Sequence, residues 1–385
     1  MVLNMVTLKD IAQKVGCSES NVSRALNNHP YVKDSTREKI INTAKMMNYF
    51  PNRAARSLVG CNTGVIGVFT AGIAEMYYNS IIDGIEFAAH QADYSLMFSN
   101  FYQHSKCKQL TDRVDGLIIF GDSVEEKSWI PELMNQKIPV VILNSCLPVT
   151  KANCIWVDNK YGGYIATQHL IELGHTRIAH ITGDLEYQVS LDRMEGYMKA
   201  LIDAAIPIQP ELIVDGNCPG GSGYQTMKIL LAHEQRCTAV FVANDEMAFQ
   251  ALQAIYETGL SVPGDISVIA YDDLEFSRYT HPPLTTIRQP GFKMGEKSTS
   301  LLVSILKKTS IDSEGVKKCL TPELVVRGTT NRPGYTTTRP MITASTHPGG
   351  IRPPVTPTPT SIIIPTPTLS LVPTPYRQVS AVPSR

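Results

Sequence analysis

Residues 7–27 read Thr-Leu-Lys-Asp-Ile-Ala-Gln-Lys-Val-Gly-Cys-Ser-Glu-Ser-Asn-Val-Ser-Arg-Ala-Leu-Asn, a pattern that predicts two short helices joined by a tight turn. Thr7 and Asp10 make a Thr-x-x-Asp opening, which suits a helix N-cap because a side-chain oxygen can accept from the orphan N–H groups of the first turn. Leu8, Ile11, Ala12 and Val15 fall on one helical stripe. Gly16 suits the turn, where a left-handed backbone costs glycine little. Ser18 can cap the second helix, with Val22 and Leu26 facing inward. The outward face then carries Glu19, Ser20, Asn21, Ser23 and Arg24. These short or bidentate hydrogen-bonding side chains suit base edges and phosphates in a major groove. Taken alone, the pattern equally fits a helical hairpin inside a larger core.

Moving outward, Ser35-Thr-Arg-Glu38 reads as a capping box opening a third helix, with Ile40, Ile41, Ala44 and Met47 as its apolar stripe. Residues 6–50 therefore read as a helix-turn-helix domain with a supporting helix. Residues 51–62 follow as hinge and linker, containing Asn52-Arg-Ala-Ala-Arg-Ser-Leu58. A segment this short is marginal as a free helix. It can fold on DNA and press Leu58 between base steps of the minor groove, or serve as a plain linker helix. Charge separates along the chain. Residues 1–62 hold nine Lys/Arg against four Asp/Glu, residues 334–385 hold four Arg and no acid, and the whole chain is neutral. A basic head on an acidic body is the asymmetry of a protein whose head meets phosphates.

From Thr63 the period changes. Apolar runs at Val65–Phe69, Tyr94–Ser99, Val114–Phe120 and Pro139–Leu143 alternate with a helical stretch at 78–91. The alternation restarts with helices at 161–173, 193–205, 222–232 and 246–258, and strands at 177–182, 211–214, 239–242 and 266–271. Continuous apolar strands between helices predict parallel sheets covered on both faces. The fold class is therefore α/β: an all-α head followed by two doubly wound subdomains, with a ligand in the cleft at the C-terminal strand ends. The body spans 63–333, with one subdomain at about 63–160 and 289–318 and the other at about 161–288 and 319–333. Residues 334–385 hold eleven of the 25 prolines and no acid, a composition that cannot build a packed core and predicts a disordered tail. The tail has no leucine heptads of the kind that build a tetramerising coiled coil.

The eight cysteines are irregularly spaced and form no Cys-x-x-Cys pair, which predicts reduced thiols in a cytoplasmic protein. No apolar run approaches membrane-spanning length, and the N-terminus has no secretory h-region. Enzyme signals are weak. Pro219-Gly-Gly-Ser-Gly-Tyr224 lacks the third glycine of a dinucleotide fingerprint, and there is neither a nucleophile elbow nor a phosphate loop. His169, His175, His180 and His233 have no metal-ligand spacing, so no metal and no cofactor is expected. A solute-binding protein without a transcriptional role is the rival class, but it leaves the helical head unexplained.

The head resembles the LacI/GalR family of bacterial transcriptional repressors. The resemblance rests on Val6–Ala12, Gly16, Ser18, Val22-Ser-Arg24, Leu26-Asn27, Val32, Thr36-Arg37, Asn48-Tyr49 and Pro51–Leu58. In the body it continues through Val114–Ile118, Val157-Asp-Asn159, His169–His175, Arg193-x-x-Gly196, Ala243-Asn-Asp245, Ala270–Asp273 and Pro282–Thr286. It implies a periplasmic-binding-protein-like effector domain and a homodimer on a pseudo-palindromic double-stranded operator, in the bacterial cytoplasm at the nucleoid. DNA contacts are then expected from Thr7, Ser18, Glu19, Ser20, Asn21, Ser23, Arg24, Asn27 and Tyr31. The hinge would add Asn52, Arg53, Ala55, Arg56 and the intercalating Leu58. Asn21 stands where the family usually has Thr. The implied effector is a sugar or sugar derivative, with a nucleobase or protein co-repressor as the alternative. Its expected contacts are Arg193, Asn244 and Asp272, with Met76, Tyr77, Tyr78 and Asp122 beside them. Trp156 is a further candidate, with core packing as its equal alternative. Between Asn100 and Val114 the family's helix is shortened by about two turns.

Overall fold

The computed structural model describes residues 6–26, 29–49, 63–70, 76–100, 111–120, 133, 138–145, 151–216, 223–307 and 315–334. The head holds α1 (Leu8–Val15), α2 (Glu19–Leu26) and α3 (Asp34–Met46). Asp10 N donates to Thr7 Oγ1 at 3.3 Å and Thr7 N donates to Asp10 Oδ2 at 2.8 Å, a reciprocal cap. Gly16 ends α1 in the left-handed region at φ 78°. Ser18 Oγ accepts from Asn21 N at 3.2 Å. The start of α3 differs from the expected Ser35 box: the helix begins at Asp34 with no side-chain cap. Arg37 secures the turn instead, donating to Asp34 Oδ1 at 2.7 Å and to the carbonyls of His29 and Val32 at 2.8 and 3.1 Å. That earlier start places Ser35 inside the first turn, where its hydroxyl cannot cap. Ile11, Val22 and Ile40 are fully buried among Ala12, Ala25 and Ala44, and each such aliphatic side chain contributes about 2 kcal/mol.

The body begins with β1 (Val65–Thr70), α4 (Met76–Gln91), β2 (Ser95–Asn100), β3 (Gly116–Phe120), β4 (Val140–Leu143) and β5 (Asn153–Val157). It continues with α5 (Asn159–Glu172), β6 (Ile178–Thr182), α6 (Gln188–Asp203), β7 (Ile213–Asp215), α7 (Gly223–Leu231), β8 (Ala239–Val242), α8 (Asp245–Glu257) and β9 (Ser267–Asp272). It closes with β10 (Thr285–Arg288), α9 (Gly291–Leu306), β11 (Lys317–Leu320) and β12 (Glu323–Val325). The strands form two sheets, ordered β11-β5-β4-β3-β1-β2 and β12-β10-β9-β8-β6-β7. Pairing is parallel except between β10 and β12. β3, β4, β6 and β8 are buried along their whole length, as strands covered on both faces must be.

The chain passes between the sheets three times. Asp158 makes the first crossing: its Oδ1 accepts from Tyr161 N at 2.9 Å and starts α5, so the crossing comes before residue 161. The second lies at Gln289-Pro290, between β10 and α9. The third comes after Leu320 rather than after residue 318, because Cys319 and Leu320 still pair with Trp156 and Val157 in the first sheet. Both halves use reciprocal glycines where helices cross. A Cβ on Gly84 would overlap the carbonyl of Phe292, and one on Gly295 that of Ile81; in the second half Gly163 meets the Arg193 carbonyl and Gly196 that of Lys160. Among the described residues no helix is long and apolar enough to cross a membrane.

Candidate functional site

A cavity of about 260 Å³ lies where the C-terminal strand ends of the two sheets face each other, the position that doubly wound sheets offer a ligand. Tyr77, Tyr78 and Asn144 line it from the first sheet's side. Asp184, Tyr187, Ser190, Arg193, Asn244, Glu246 and Asp272 line it from the second, with Gln289 at the crossing.

Arg193 is the fixed point. It projects from α6, is 8 % exposed, and lies with its guanidinium carbon 3.8 Å from the centroid of the Tyr271 ring. Its Nε donates to Asn159 Oδ1 at 2.9 Å and its Nη1 to the Ala243 carbonyl at 2.6 Å. Its Nη2 stands 3.9 Å from Asp272 Oδ1. Two protein oxygens thus take two of the five guanidinium N–H groups, and the planar fork is oriented before any ligand arrives.

The C-terminal end of β9 carries the acid partner. Asp272 and Asp273 both have left-handed backbones, φ 119° and 59°, a strain of about 1–3 kcal/mol per residue that the surroundings must offset. Gln289 Nε2 donates to Asp272 Oδ1 at 2.7 Å. Asp273 is held by Arg288 Nε at 2.7 Å and Arg327 Nη2 at 2.5 Å. Beneath them, fully buried Asp245 accepts from Leu274 N at 2.8 Å, Thr286 Oγ1 at 2.6 Å and Ser277 Oγ at 2.5 Å. Burial outweighs those donors and pushes its carboxyl up to about 6. Asn244 caps α8, its Oδ1 accepting from Met247 N at 2.8 Å. Across the mouth, Met76 N donates to Glu246 Oε1 at 3.1 Å.

The cavity therefore brings together five of the residues expected from the sequence: Tyr77, Tyr78, Arg193, Asn244 and Asp272. Tyr78 is wedged edge-on against Phe120, centroids 5.0 Å apart. Met76 is beside the cavity rather than in it. It lines an adjoining hollow of about 670 Å³ and meets Glu246 through its backbone, because it is the first residue of α4. Trp156 is not a cavity residue. It lies on β5, opposite Cys319, and packs against the apolar core of the first sheet, the second of the two roles expected for it. Asp122 lies outside the described residues. Asn144, Asp184, Tyr187, Ser190, Glu246 and Gln289 were not anticipated. Asn144 stands at the C-terminal end of an apolar strand and Glu246 follows the Asn244-Asp245 motif, which were the available signals; Gln289 follows the Thr-Thr-Ile-Arg strand β10, which offered none. Among the described residues no cluster of metal-ligating side chains occurs.

In the head, Thr7, Ser18, Glu19, Ser20, Asn21, Arg24 and Tyr31 are exposed and Ser23 is half-buried. Tyr31, 87 % exposed, leans on the His29 ring at 5.3 Å. Val22 and Ala25 of the same helix are buried, so α2 shows one face to the core and one to solvent. Asn27, Asn52, Arg53, Ala55, Arg56 and Leu58 lie outside the described residues, as do the hinge, residues 101–110 of the shortened segment and the tail beyond 334.

A helix-turn-helix head joined to a two-sheet, periplasmic-binding-protein-like body defines a class of ligand-responsive DNA-binding regulators. Residues 7–52 match the family of bacterial regulatory proteins, lacI family, and residues 167–330 match the periplasmic binding protein-like domain. The probable HTH-type transcriptional repressor ExuR of Bacillus subtilis is 37 % identical over 85 % of this chain and 99 % of its own length. The solved Lac repressor dimer bound to operator and the anti-inducer ONPF is 33 % identical, with a TM-score of 0.76 over 85 % of this chain and all (100 %) of that one. A LacI-family regulator from Enterococcus faecium with bound ribose is 29 % identical, with a TM-score of 0.63 over 69 % of this chain and 98 % of its own. This chain belongs to the lacI family of bacterial regulatory proteins and is a transcriptional repressor of that family.

Proposed function

We propose that a dimer of this chain binds a pseudo-palindromic operator and that a sugar or sugar derivative, seated between the two sheets, releases it. The observation that carries the reading is the lining of the cavity. Arg193, Asp272, Asn144, Asn244, Ser190 and Gln289 present donors and acceptors from several directions, which suits ring hydroxyls, while Tyr77 and Tyr78 offer apolar faces to C–H groups. The volume, about 260 Å³, sits just under the usual range for small-molecule pockets of roughly 300–1,000 Å³. That favours a monosaccharide. In the head, Arg24 can reach guanine or phosphate, and Glu19 accepts from cytosine N4 or repels phosphate, narrowing site choice. Leu58, paired across the dimer, wedges the central minor groove. Effector and operator binding are then coupled by about 1–3 kcal/mol.

Fluorescence-anisotropy titration against a pool of pseudo-palindromic DNA, with and without a sugar panel, tests the reading. Specific binding released by one sugar supports it; specific binding that no sugar alters transfers the cavity to a nucleobase or the control to a protein co-repressor. Arg193→Ala is expected to abolish the sugar response while operator binding remains. A retained response would place the ligand elsewhere. Leu58→Ala is expected to weaken specific binding far more than non-specific binding, and an equal loss of both would rule out the wedge.

A further inference from the structure

At two of the three crossings between the sheets, a buried side-chain amide reaches the ion pair of the cavity. Asn159, 4 % exposed, accepts from Arg193 Nε at 2.9 Å through Oδ1. Through Nδ2 it donates to the carbonyl of Val157, the last residue of β5, at 3.1 Å. Gln289, 7 % exposed, donates from Nε2 to Asp272 Oδ1 at 2.7 Å and from its backbone N to the Asp272 carbonyl at 3.4 Å. Its own carbonyl accepts from the N–H of Gly291, the first residue of α9, at 2.9 Å. The third crossing is tied to the first, Asp158 N donating to the Leu320 carbonyl at 2.9 Å. A continuous polar path therefore runs from the end of β5 to the start of α9, with Arg193 and Asp272 at its centre. Those two residues are only 3.9 Å apart and not in direct hydrogen-bond contact, so a ligand oxygen can draw on either one. Whatever moves them moves groups bonded to the crossings, with no loop between to absorb the shift.

We infer that Asn159 and Gln289 are positioning residues that convert occupancy of the cavity into rotation of one sheet against the other. This deepens the reading above and rests on it, since it takes Arg193 and Asp272 as the groups a ligand meets. The chemistry of Asn159 is specific. It accepts on the Arg193 side and donates on the β5 side, using the separate oxygen and nitrogen of one amide, which a carboxylate cannot do. An aspartate there keeps the acceptor for Arg193 and loses the donor for Val157.

The test is single-molecule energy transfer on the full chain without added ligand, with dyes on non-natural residues at His90 of α4 and Ile202 of α6, both exposed. Asn159→Asp, Asn159→Ala and the volume-preserving Gln289→Met are each expected to widen the distribution of distances about twofold, by releasing one crossing from the cavity. If Asn159 only steadied Arg193, Asn159→Asp would match the wild type while Asn159→Ala would not. That result, or a wild-type width for Gln289→Met, overturns the inference. Operator titration of the unlabelled wild type with D-ribose, D-glucose and D-galactose is run in parallel. A flat response there counts against the sugar reading alone, whereas unchanged widths beside a normal response count against the coupling alone.

Discussion

The two sheets share a strand order and bury different things. The first core is built from Ile66, Val68, Phe69, Leu117, Ile118, Ile119 and their neighbours, and its buried polar side chains are hydroxyls such as Thr70, Ser145, Ser298 and Thr299. The second half buries His175, His180, Arg193 and Asp245 as well. Among the described residues, every buried histidine, arginine and aspartate is on that side. The first half thus supplies an apolar platform, two tyrosines and Asn144, and the second supplies the charged chemistry of the cavity. Duplicated architecture does not divide the work equally. A polar network demands full satisfaction of its donors and acceptors, and here its buried charged and imidazole members lie in one half while the core of the other stays apolar.

The contrast breaks if equal damage on the two sides has equal consequences. Leu117→Ala removes a fully buried side chain from the first core and is expected to cost about 3 kcal/mol. Asp245→Ala strands Leu274 N, Ser277 Oγ and Thr286 Oγ1 and is expected to cost a similar amount, about 3 kcal/mol. Urea unfolding should show comparable losses. The effector response expected of operator binding should survive only in Leu117→Ala, because Asp245 holds Leu274 and Ser277 in the segment that follows Asp272.

Paired glycines sharpen the comparison at a smaller scale. Gly84→Val and Gly163→Val each force a side chain into a helix–helix contact against backbone, an overpacking worth about 2 kcal/mol. In the first half the contact is with the Phe292 carbonyl. In the second it is with the carbonyl of Arg193 itself. Melting temperatures are expected to fall alike, with effector affinity lost only in Gly163→Val. Equal affinity in both would mean that Arg193 tolerates displacement and that its setting is not the decisive feature of the site.

How much of this was readable in the sequence follows the same division. Strands such as Ala239–Val242 and helices such as Asp245–Glu257 announce themselves because a strand buried on both faces must be continuously apolar. Arg193, Asn244 and Asp272 were readable through the family resemblance, as positions that match its pattern. Asn144, Tyr187 and Gln289 were not, since each enters the cavity only when loops after different parallel strands converge, and local pattern holds no record of that. Trp156 took core packing, one of the two roles left open for it, because an aromatic at a crossing can face either way. Short edge strands such as Lys317–Leu320, mostly exposed, carry no period at all. Ser35 shows the limit of a capping rule: the Asp34–Arg37 pair, one residue off, took the helix start.

The smallest expected effect concerns protonation, and it too should belong to one half. His180 lies on β6 between the rings of Tyr197 and Phe241, centroids 5.1 and 4.6 Å away. Its Nδ1 is 2.9 Å from the Phe241 carbonyl, so Nδ1 carries the proton and donates, while Nε2 is buried with no partner among the described residues. Protonating Nε2 would bury a cationic N–H with nothing to accept it. Desolvation accordingly depresses the imidazole to about 4. In the unfolded chain the same ring titrates near 6.5, so between those values the unfolded state binds more protons. The contribution of His180 is present above pH 6.5 and is lost as the pH falls toward 4, with about 1–2 kcal/mol going between pH 7 and 5. Asp245 titrates in the opposite sense: raised to about 6, its contribution is greatest in acid and is lost as the pH rises through that value. The wild type therefore carries two slopes that partly offset each other. His180→Phe keeps the ring stack and removes only the first slope, so the difference in unfolding free energy between wild type and variant should shrink steadily from pH 7 to pH 5. A difference independent of pH would mean that water reaches Nε2 and that the second core is wetter than its burial implies.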